Sequence, residues 1–304
     1  MKRIGNAVYR LSYHSVIDKE INMIRLSAFS DEAGSSIQEQ IAAMKRNGIS
    51  LTELRSIDGK NVSVFTIEEA KAYQKTFEEN GISVWSIGSP LGKTDIDTDF
   101  DEYCKLVAHV CELAKIFKTD KIRMFSFFNT KGKDEKVFAY LQKMVEIGNA
   151  YGVQMYHENE KDIYGDIAER VLNIMQNVKG LKYIYDPANY LQCDEPADKT
   201  LDLFHKTTDY FHIKDVISAT GALVPAGHGD GDIPKLVEMI SDDKVLTLEP
   251  HLALFDAYKS IDNTEMKHEY VYATPNEAFD AAVSALKKVL TDKGYKEANG
   301  LFVK

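Results

Sequence analysis

The sequence predicts an α/β protein with a (β/α)8 TIM-barrel fold in a single domain. Short apolar runs of strand length alternate with longer segments of helix length, and glycines stand repeatedly where a helix gives way to a strand. Strands that alternate with helices of ten or more residues indicate parallel βαβ units, and eight such units close into a barrel. A chain of 304 residues is within the usual length of one such domain.

Eight apolar runs mark the strands, and each is followed by a segment with helical periodicity. We place the strands at 24–29, 51–55, 82–87, 121–127, 153–158, 182–186, 209–214 and 244–249. The helices fall near 36–47, 66–80, 100–118, 134–151, 164–177, 196–207, 232–241 and 275–293. This is the order that a parallel barrel requires.

Local signals indicate where several helices begin and end. Ser36 with Glu39, and Thr66 with Glu69, match the capping-box pattern. Other helices end on a glycine that directly precedes a strand, where glycine adopts the left-handed conformation at little cost. These glycines are Gly48, Gly81, Gly152 and Gly180.

The barrel is expected to span residues 23–304 as one catalytic domain. Met23 stands directly before the first strand, so residues 1–22 form an N-terminal extension. It is either an overlong start or a genuine arm, and the sequence does not decide between them. It has no continuous apolar stretch, so it is not a secretory signal. No Pro-, Gly- or Ser-rich linker divides the remainder.

Composition limits the partners and the compartment. A net charge of -10 disfavours binding to phosphate backbones, so no nucleic-acid partner is expected. No run approaches the ~20 apolar residues of a membrane span, so no membrane partner is expected either. Three cysteines are an odd, sparse set rather than a disulfide framework, which favours a reducing, cytoplasmic location. No heptad or apolar patch identifies an interface, so the sequence leaves both a monomer and a homo-oligomer as alternatives.

Four successive apolar runs end on residue types that bind metal ions. Glu158 ends the fifth, Asp186 the sixth, His212 follows the start of the seventh, and Glu249 ends the eighth. Because successive strand ends of a parallel barrel lie around one rim, these side chains can converge on a single ion. Three carboxylates and one imidazole suit Mn²⁺, Mg²⁺ or Co²⁺ better than a structural zinc. We therefore expect one divalent ion, Mn²⁺ by preference, with Mg²⁺, Co²⁺ or Zn²⁺ as alternatives.

The alternation of side chains along a strand predicts further groups at the same rim. Arg55 shares a face with Glu53, and Arg123 faces inward on the fourth strand. An arginine there either binds a substrate hydroxyl, carboxylate or phosphate, or pairs with neighbouring acids. Lys214 lies two residues after His212, where it either stabilises developing negative charge or forms a salt bridge along the rim.

Other candidates lie in the segments that follow the strands. His251 comes two residues after Glu249, and Glu160 stands in the loop after the fifth strand; both are expected to contact substrate. His157 should point away from the interior because it precedes Glu158 on a regular strand. Two long loops, 88–99 and 250–274, are expected on the active-site face. The aromatic residues of the second loop are Phe255, Tyr258, Tyr270 and Tyr272.

Several short motifs occur in order in the second half of the chain. They are His157-Glu158-Asn159, Asp186-Pro187-Ala188-Asn189, His212-Ile213-Lys214-Asp215, Gly227–Ile233 and Leu248-Glu249-Pro250. Together they resemble the xylose-isomerase-like TIM-barrel superfamily of sugar isomerases and epimerases, which also contains apurinic endonucleases of the family 2 type and inosose dehydratases. The resemblance spans about residues 23–290. It implies that Glu158, Asp186, His212 and Glu249 are metal ligands, and that Glu158 and Glu249 also exchange protons with substrate.

The activity implied by the resemblance is metal-dependent isomerisation or epimerisation of a sugar or polyol. A metal bound to two substrate oxygens polarises a carbonyl and stabilises an enediolate, while one carboxylate removes a proton and a second group returns it. One alternative is a lyase or dehydratase of a keto sugar or cyclic polyol, including a subunit of a two-component enzyme that cleaves C-glycosides. Further alternatives are an abasic-site endonuclease and a binding protein without catalysis.

Two segments depart from familiar patterns. The endonuclease branch has a zinc-binding histidine three residues after the sixth-strand aspartate, whereas this chain has Asn189, so a three-zinc site is incomplete. Epimerases often have a substrate-contacting histidine at that place, and Asn189 is taken here as a substrate contact. The Gly227–Gly231 segment lacks the GxGxxG and GK[ST] patterns of nucleotide loops. We expect it to be a flexible loop that leads into the next helix.

Overall fold

Eight parallel strands close into a barrel in the computed structural model, which describes residues 22–253, 267–298 and 300–304. The strands are β1 (Met23–Ala28), β2 (Leu51–Leu54), β3 (Ser83–Ile87), β4 (Lys121–Met124), β5 (Gln154–Glu158), β6 (Lys182–Tyr185), β7 (Tyr210–Ile213) and β8 (Lys244–Leu248). Each pairs in parallel with the next, and β8 pairs with β1, with Leu26 opposite Leu246. The predicted (β/α)8 TIM barrel is confirmed.

Helices surround the barrel in the predicted order. They are Ile37–Arg46, Ile67–Glu79, Phe100–Ile116, Asp134–Tyr151, Ala168–Asn177, Ala197–Phe204, Ile233–Met239 and Pro275–Asp292. Both capping boxes form as predicted, at Ser36 and Thr66. The four glycines that precede strands all have φ between 67° and 81°. Local sequence signals therefore placed these helix ends correctly.

The interior of the barrel is layered. Tyr156, Ile184, Tyr210 and Val245 form an apolar layer with Trp85 packed against it. Because side chains alternate along a strand, the residue two positions further along the chain also faces inward. On β5, on β7 and directly after β6 this residue is polar. Those residues are Glu158, Asp186 and His212, which places a polar layer at the C-terminal ends of the strands. The large hydrophobic core lies outside this layer, between the barrel and its helices.

Several features were not predicted, among them a two-stranded sheet formed by Ser56–Ile57 and Lys60–Asn61. A C-terminal hairpin, Lys296–Ala298 with Leu301–Val303, pairs antiparallel with the start of β1. It fits there because β2 joins β1 only at Ser27 and Ala28. A short helix, Pro187–Leu191, follows β6. A small sheet, formed by Asp215–Ile217, Ala222–Val224 and Lys267–His268, stands beyond the end of β7.

The fourth strand is shorter than the predicted 121–127. It ends at Met124 because the following residues bond to the 88–99 loop: Phe125 N donates to Leu91 O at 2.7 Å and Phe127 N to Gly92 O at 2.8 Å. Gly92 permits this approach, since a Cβ there would stand 2.1 Å from Phe125 O. The loop is thus fixed against the C-terminal opening of the barrel, which we call the mouth.

Some predictions concern residues outside the described ranges. Residues 1–21 of the proposed extension, and Phe255 and Tyr258 of the long loop, are among them. Within the described ranges, none of the helices combines the length and the hydropathy needed to cross a lipid bilayer.

Candidate metal centre

The four predicted ligands meet at the C-terminal end of the barrel. Glu158, Asp186, His212 and Glu249 each contribute one nitrogen or oxygen atom to a group whose members all lie within 4.8 Å of one another. None of these residues is more than 3% exposed. Strand alternation and barrel closure together bring four residues that are distant in sequence to one place. This buried group can bind a divalent metal ion.

His212 is oriented by a glutamate on the far side of its ring. Its Nε2 lies 3.1 Å from Glu53 Oε2, and its Nδ1 lies 2.7 Å from Glu158 Oε1 and 3.2 Å from Glu249 Oε2. Burial lowers the pKa of His212, but Glu158 and Glu53 oppose this and hold the pKa well above its ordinary value. With the Nε2 proton donated to Glu53, Nδ1 is the nitrogen available to an ion.

Each of the two glutamates divides its oxygens between the centre and an arginine. Glu158 Oε2 accepts a hydrogen bond from Arg123 Nη1 at 3.1 Å, and Glu249 Oε1 accepts one from Arg55 Nη1 at 3.0 Å. Their other oxygens face His212. Both guanidinium groups lie over the ring of Phe29, at 4.4 Å for Arg55 and 4.8 Å for Arg123. The arginines therefore hold the glutamates with one oxygen directed at the centre.

Asp186 is held by the turn that begins the short helix Pro187–Leu191. Its Oδ1 accepts a hydrogen bond from Asn189 N at 3.1 Å, and its backbone N donates to Asn159 Oδ1 at 2.9 Å. Asn189 Nδ2 donates to Asn159 O at 2.8 Å. Lys214 Nζ lies 3.1 Å from Asp186 Oδ2. Asn189 thus contacts the turn that carries the candidate ligand Asp186, and Lys214 forms the salt bridge that was one of its two predicted roles.

Two buried oxygens of this centre suit a cation. Asp186 Oδ2 lies 3.1 Å from Lys214 Nζ and Glu249 Oε2 lies 3.2 Å from His212 Nδ1, but neither oxygen accepts a hydrogen bond of good geometry from the described part of the chain. Burial raises the pKa of Asp186 to about 7, against the opposing effect of Lys214. Burial also raises the pKa of Glu249, but Lys214 and His212 outweigh it and hold that pKa well below its ordinary range. Buried carboxylates need a cation nearby, and these oxygens point to one place.

The total charge around the centre supports the same conclusion. Six buried carboxyl groups surround it: Asp31, Glu32, Glu53, Glu158, Asp186 and Glu249. The cations in the described part of the chain that are equally buried are Arg55, Arg123 and Lys214, together with His212 while its ring is protonated. An excess of buried negative charge is costly unless an ion offsets it.

A network beside the centre was missed at the sequence level. Arg55 bonds to Asp31 through Nε at 2.9 Å and to Glu32 through Nη2 at 3.1 Å. Glu32, Glu249 and His251 would suit a second metal, but the Arg55 guanidinium already contacts both glutamates. Burial, reinforced by Glu249 and opposed by Arg55, raises the pKa of Glu32 to about 8. Asp31 and Glu32 lie just past the end of β1. The strand-end rule that identified the tetrad, which consists of Glu158, Asp186, His212 and Glu249, therefore also applies to them.

His251 lies in this network, beside Glu249. Its backbone N donates to Glu32 Oε2 at 2.8 Å, and its Nε2 lies 3.6 Å from Glu249 Oε1. Its φ of 48° is in the left-handed region, which is uncommon for residues other than glycine. Burial lowers the pKa of His251 to about 4.

The outer wall of the mouth carries Glu160, as predicted, together with a lysine that was not. Lys93 Nζ lies 2.9 Å from Glu160 Oε2 and 4.4 Å from the centre of the Phe125 ring. Burial raises the pKa of Glu160, but Lys93 and Lys214 outweigh this and lower it. Lys93 comes from the 88–99 loop, whose position at the mouth was predicted.

Two other expectations can be compared with the structure. His157 points away from the interior, as expected; its Nε2 lies 3.0 Å from Ser126 Oγ, and burial lowers its pKa to about 3. The glycine-rich segment does lead into the helix that begins at Ile233, but it is bound to Asp215. The Asp215 carboxylate accepts hydrogen bonds from the backbone N–H of Val216, Gly227, Gly229 and Gly231 at 2.8–3.1 Å.

The fold and the site define a barrel with a buried Glu/Asp/His centre at the C-terminal ends of its strands. The family model described as xylose isomerase-like TIM barrel matches residues 41–289. The chain belongs to this family. No curated protein sequence matches it.

Solved structures of the same superfamily, including sugar epimerases and isomerases, share the fold. The D-allulose 3-epimerase from Methylomonas sp. is 12% identical, with a TM-score of 0.68 over 88% of this chain and 98% of that one. The probable 3-DHS dehydratase AsbF from Bacillus anthracis is 15% identical, with a TM-score of 0.66 over 86% and 98%. An IOLI protein with a bound zinc atom is 14% identical, with a TM-score of 0.65 over 88% and 97%. At these identities the likeness shows the fold alone.

Proposed function

We propose that the protein is a metal-dependent isomerase or epimerase of a small sugar or polyol. The observation that carries the proposal is the placement of Glu158 and Glu249. They lie on strands separated by β6 and β7, and each directs one oxygen at the same buried centre. Two carboxylates that flank one centre suit a reaction that removes a proton from carbon and returns one.

Glu158, Asp186, His212 and Glu249 would hold the ion, and we propose Mn²⁺ as its identity. Oxygen-rich ligands with one imidazole favour such a hard cation. When bound, the ion polarises the substrate carbonyl and stabilises negative charge on its oxygens. The protein would supply the remaining functions through its own side chains.

Glu158 and Glu249 are proposed as the proton-transfer groups. Arg123 and Arg55 hold them in place, and the low pKa of Glu249 keeps that carboxylate ionised, as a base must be. Lys214 is cationic and buried, so it is suited to stabilise negative charge that develops on substrate oxygens. Hydroxyl groups of the substrate would be bound by Arg55, Arg123, Asn189, His251 and Glu160.

A direct test is proton exchange in D₂O. The Mn²⁺-loaded protein is incubated with a panel of ketoses and polyols, and deuterium in the recovered compounds is measured. Deuterium at a carbon next to a carbonyl, with a rearranged or epimerised product, is the expected result. Exchange accompanied by loss of water would instead identify the lyase or dehydratase, which shares the first step. No exchange with any compound would contradict both.

A further inference from the structure

We propose that the site selects an uncharged polyhydroxy carbonyl compound and rejects phosphate esters and sugar acids, with Glu160 as a specificity-determining residue. The inference rests on the proposed function and narrows its substrate class. Two observations support it. The cations at the mouth are already paired with carboxylates of the protein, and the glycine-rich loop already binds the carboxylate of Asp215.

The buried cations of the described chain are already paired. Arg55 contacts Asp31, Glu32 and Glu249, as given above. Arg123 contacts Glu158, and its second guanidinium nitrogen, Nη2, donates to Gly88 O at 3.2 Å. Lys214 lies against Asp186. A phosphate or carboxylate on the substrate would have to displace a protein carboxylate to gain one of these partners.

Lys93, a cation at the outer edge of the mouth, is neutralised in the same way. Lys93 and Glu160 are only 12% and 14% exposed and form a 2.9 Å ion pair. Glu160 Oε1 also accepts a hydrogen bond from Lys161 N at 3.1 Å, so the carboxylate is held by its own loop. A charged substrate tail that reached this edge would meet Glu160 as well as Lys93, and like charges repel.

The described part of the usual anion site of a barrel, the loop after β7, is also occupied. Barrels that bind phosphate commonly do so in the loops after the seventh and eighth strands, through backbone N–H groups. In this chain the loop after β7 directs the N–H groups of Gly227, Gly229 and Gly231 at Asp215. A Cβ at Gly229 would stand 2.4 Å from Asp215 Oδ1, so these glycines allow the loop to close on the carboxylate. The Asp215 carboxylate therefore already accepts from the N–H groups that this loop could otherwise offer to a phosphate.

Hydroxyl groups need no excess of positive charge. The mouth offers them charged and polar partners of both kinds, such as the Lys93–Glu160 pair, and hydroxyls donate to carboxylates and accept from cations. Six buried carboxyl groups against three buried cations also leave no net positive field for an anion, even with a divalent ion added.

The test compares each neutral ketose with its phosphate ester on the Mn²⁺-loaded full chain. D-fructose and D-tagatose are titrated calorimetrically beside their 6-phosphates, with blank titrations that correct for Mn²⁺ binding by the esters. A neutral sugar should bind the parent at least about tenfold more tightly than its ester. Glu160→Gln should improve binding of the ester by about fivefold, or ~1 kcal/mol. Adding Lys93→Met to Glu160→Gln should abolish that gain.

Glu297→Gln is the matched control. Glu297 lies in the C-terminal hairpin, at the opposite end of the barrel, and forms a 2.7 Å ion pair with Lys287 of the last helix. This substitution should leave the ratio of the two affinities unchanged. An ester that binds the parent more tightly than its neutral sugar, or a ratio that Glu160→Gln leaves unchanged, would overturn the inference.

Deuterium exchange measured on the same compounds separates this inference from the proposed function. Exchange into a phosphate ester but not its neutral sugar would support the isomerase and overturn the inference. Preference for neutral sugars without exchange in any of them would support the inference and contradict the isomerase. If neither the neutral sugars nor their esters bind or exchange, both are wrong.

Discussion

Glu53 fixes the ring of His212 from the side opposite the metal centre, with 3.1 Å between Glu53 Oε2 and His212 Nε2. Both side chains are completely buried. This contact sets which ring nitrogen faces the three carboxylates, because the nitrogen that donates to Glu53 cannot bind an ion. The tetrad therefore depends on a residue that is not itself a ligand.

Replacing Glu53 should weaken metal binding without touching a ligand. Glu53→Ala leaves a buried N–H of His212 without its acceptor, and we expect Mn²⁺ affinity to fall ~10–100-fold. Glu53→Gln retains an acceptor oxygen, so its affinity for Mn²⁺ should fall less than that of Glu53→Ala. Free Mn²⁺ measured by electron paramagnetic resonance reports both affinities. Equal affinity in the parent and both variants would show that Glu53 does not orient the ligand.

Metal binding should stabilise the parent. An ion that binds only the folded state at a free concentration 100 times its Kd adds ~2.7 kcal/mol, so the melting temperature should rise with added Mn²⁺ and fall again with a chelator. His212→Ala should remove most of this rise. Because His212 is fully buried, its loss also opens a cavity and lowers the metal-free melting temperature. A full Mn²⁺-dependent rise in the variant would mean that His212 is not a ligand.

Metal affinity should rise with pH through about 7. Burial raises the pKa of Asp186 to about 7, so below that pH a proton competes with the ion for the carboxylate. The same shift means that Asp186 destabilises the metal-free fold progressively as pH rises from about 4 to 7, since the unfolded group has already lost its proton. The Mn²⁺-induced rise in melting temperature is therefore expected to be larger at pH 8 than at pH 6.

The exposed carboxylate Asp97 provides the control for this pH effect. Asp97→Asn removes a group paired with Lys133 and Lys136, away from the tetrad, and should behave like the parent. A Mn²⁺ effect that is the same at pH 6 and pH 8 in the parent would contradict the assignment of a buried, protonated carboxyl group to the metal-free centre.

The sequence revealed the barrel and the tetrad because both follow from repeating local patterns. Glu158 and Asp186 stand where an apolar run ends, and closure of the barrel brings these strand ends together. Asp31 and Glu32 also follow a strand end, but their pairing with Arg55 was not revealed, since it depends on how the turn after β1 folds against the end of β2. The C-terminal hairpin was missed for a similar reason: its strands, Lys296–Ala298 and Leu301–Val303, are three residues each, and the second pairs with β1, which is distant in sequence.

The position of Lys93 should depend on Gly92. Gly92 has a φ of 88°, and an added Cβ would stand 2.1 Å from Phe125 O. Gly132→Ala is the matched comparison, because its φ is 71° but no atom lies within 4 Å of the added Cβ. Gly132→Ala should cost ~1–2 kcal/mol of unfolding free energy, and Gly92→Ala a further ~1–3 kcal/mol. Urea unfolding measures both, and equal costs would show that the loop is not fixed against Phe125.

The central claim is that Glu158 and Glu249 move the substrate proton. The most direct measurement is the rate of deuterium incorporation from D₂O into a substrate by Glu158→Gln and Glu249→Gln, with bound Mn²⁺ determined in the same samples. Glutamine keeps the shape of the side chain and one metal-facing oxygen, but it cannot accept a proton at neutral pH. Each variant that retains its ion should exchange at least ~10²–10⁴-fold more slowly than the parent. A variant that retains its ion and exchanges deuterium at the parent rate would show that its glutamate only binds the metal.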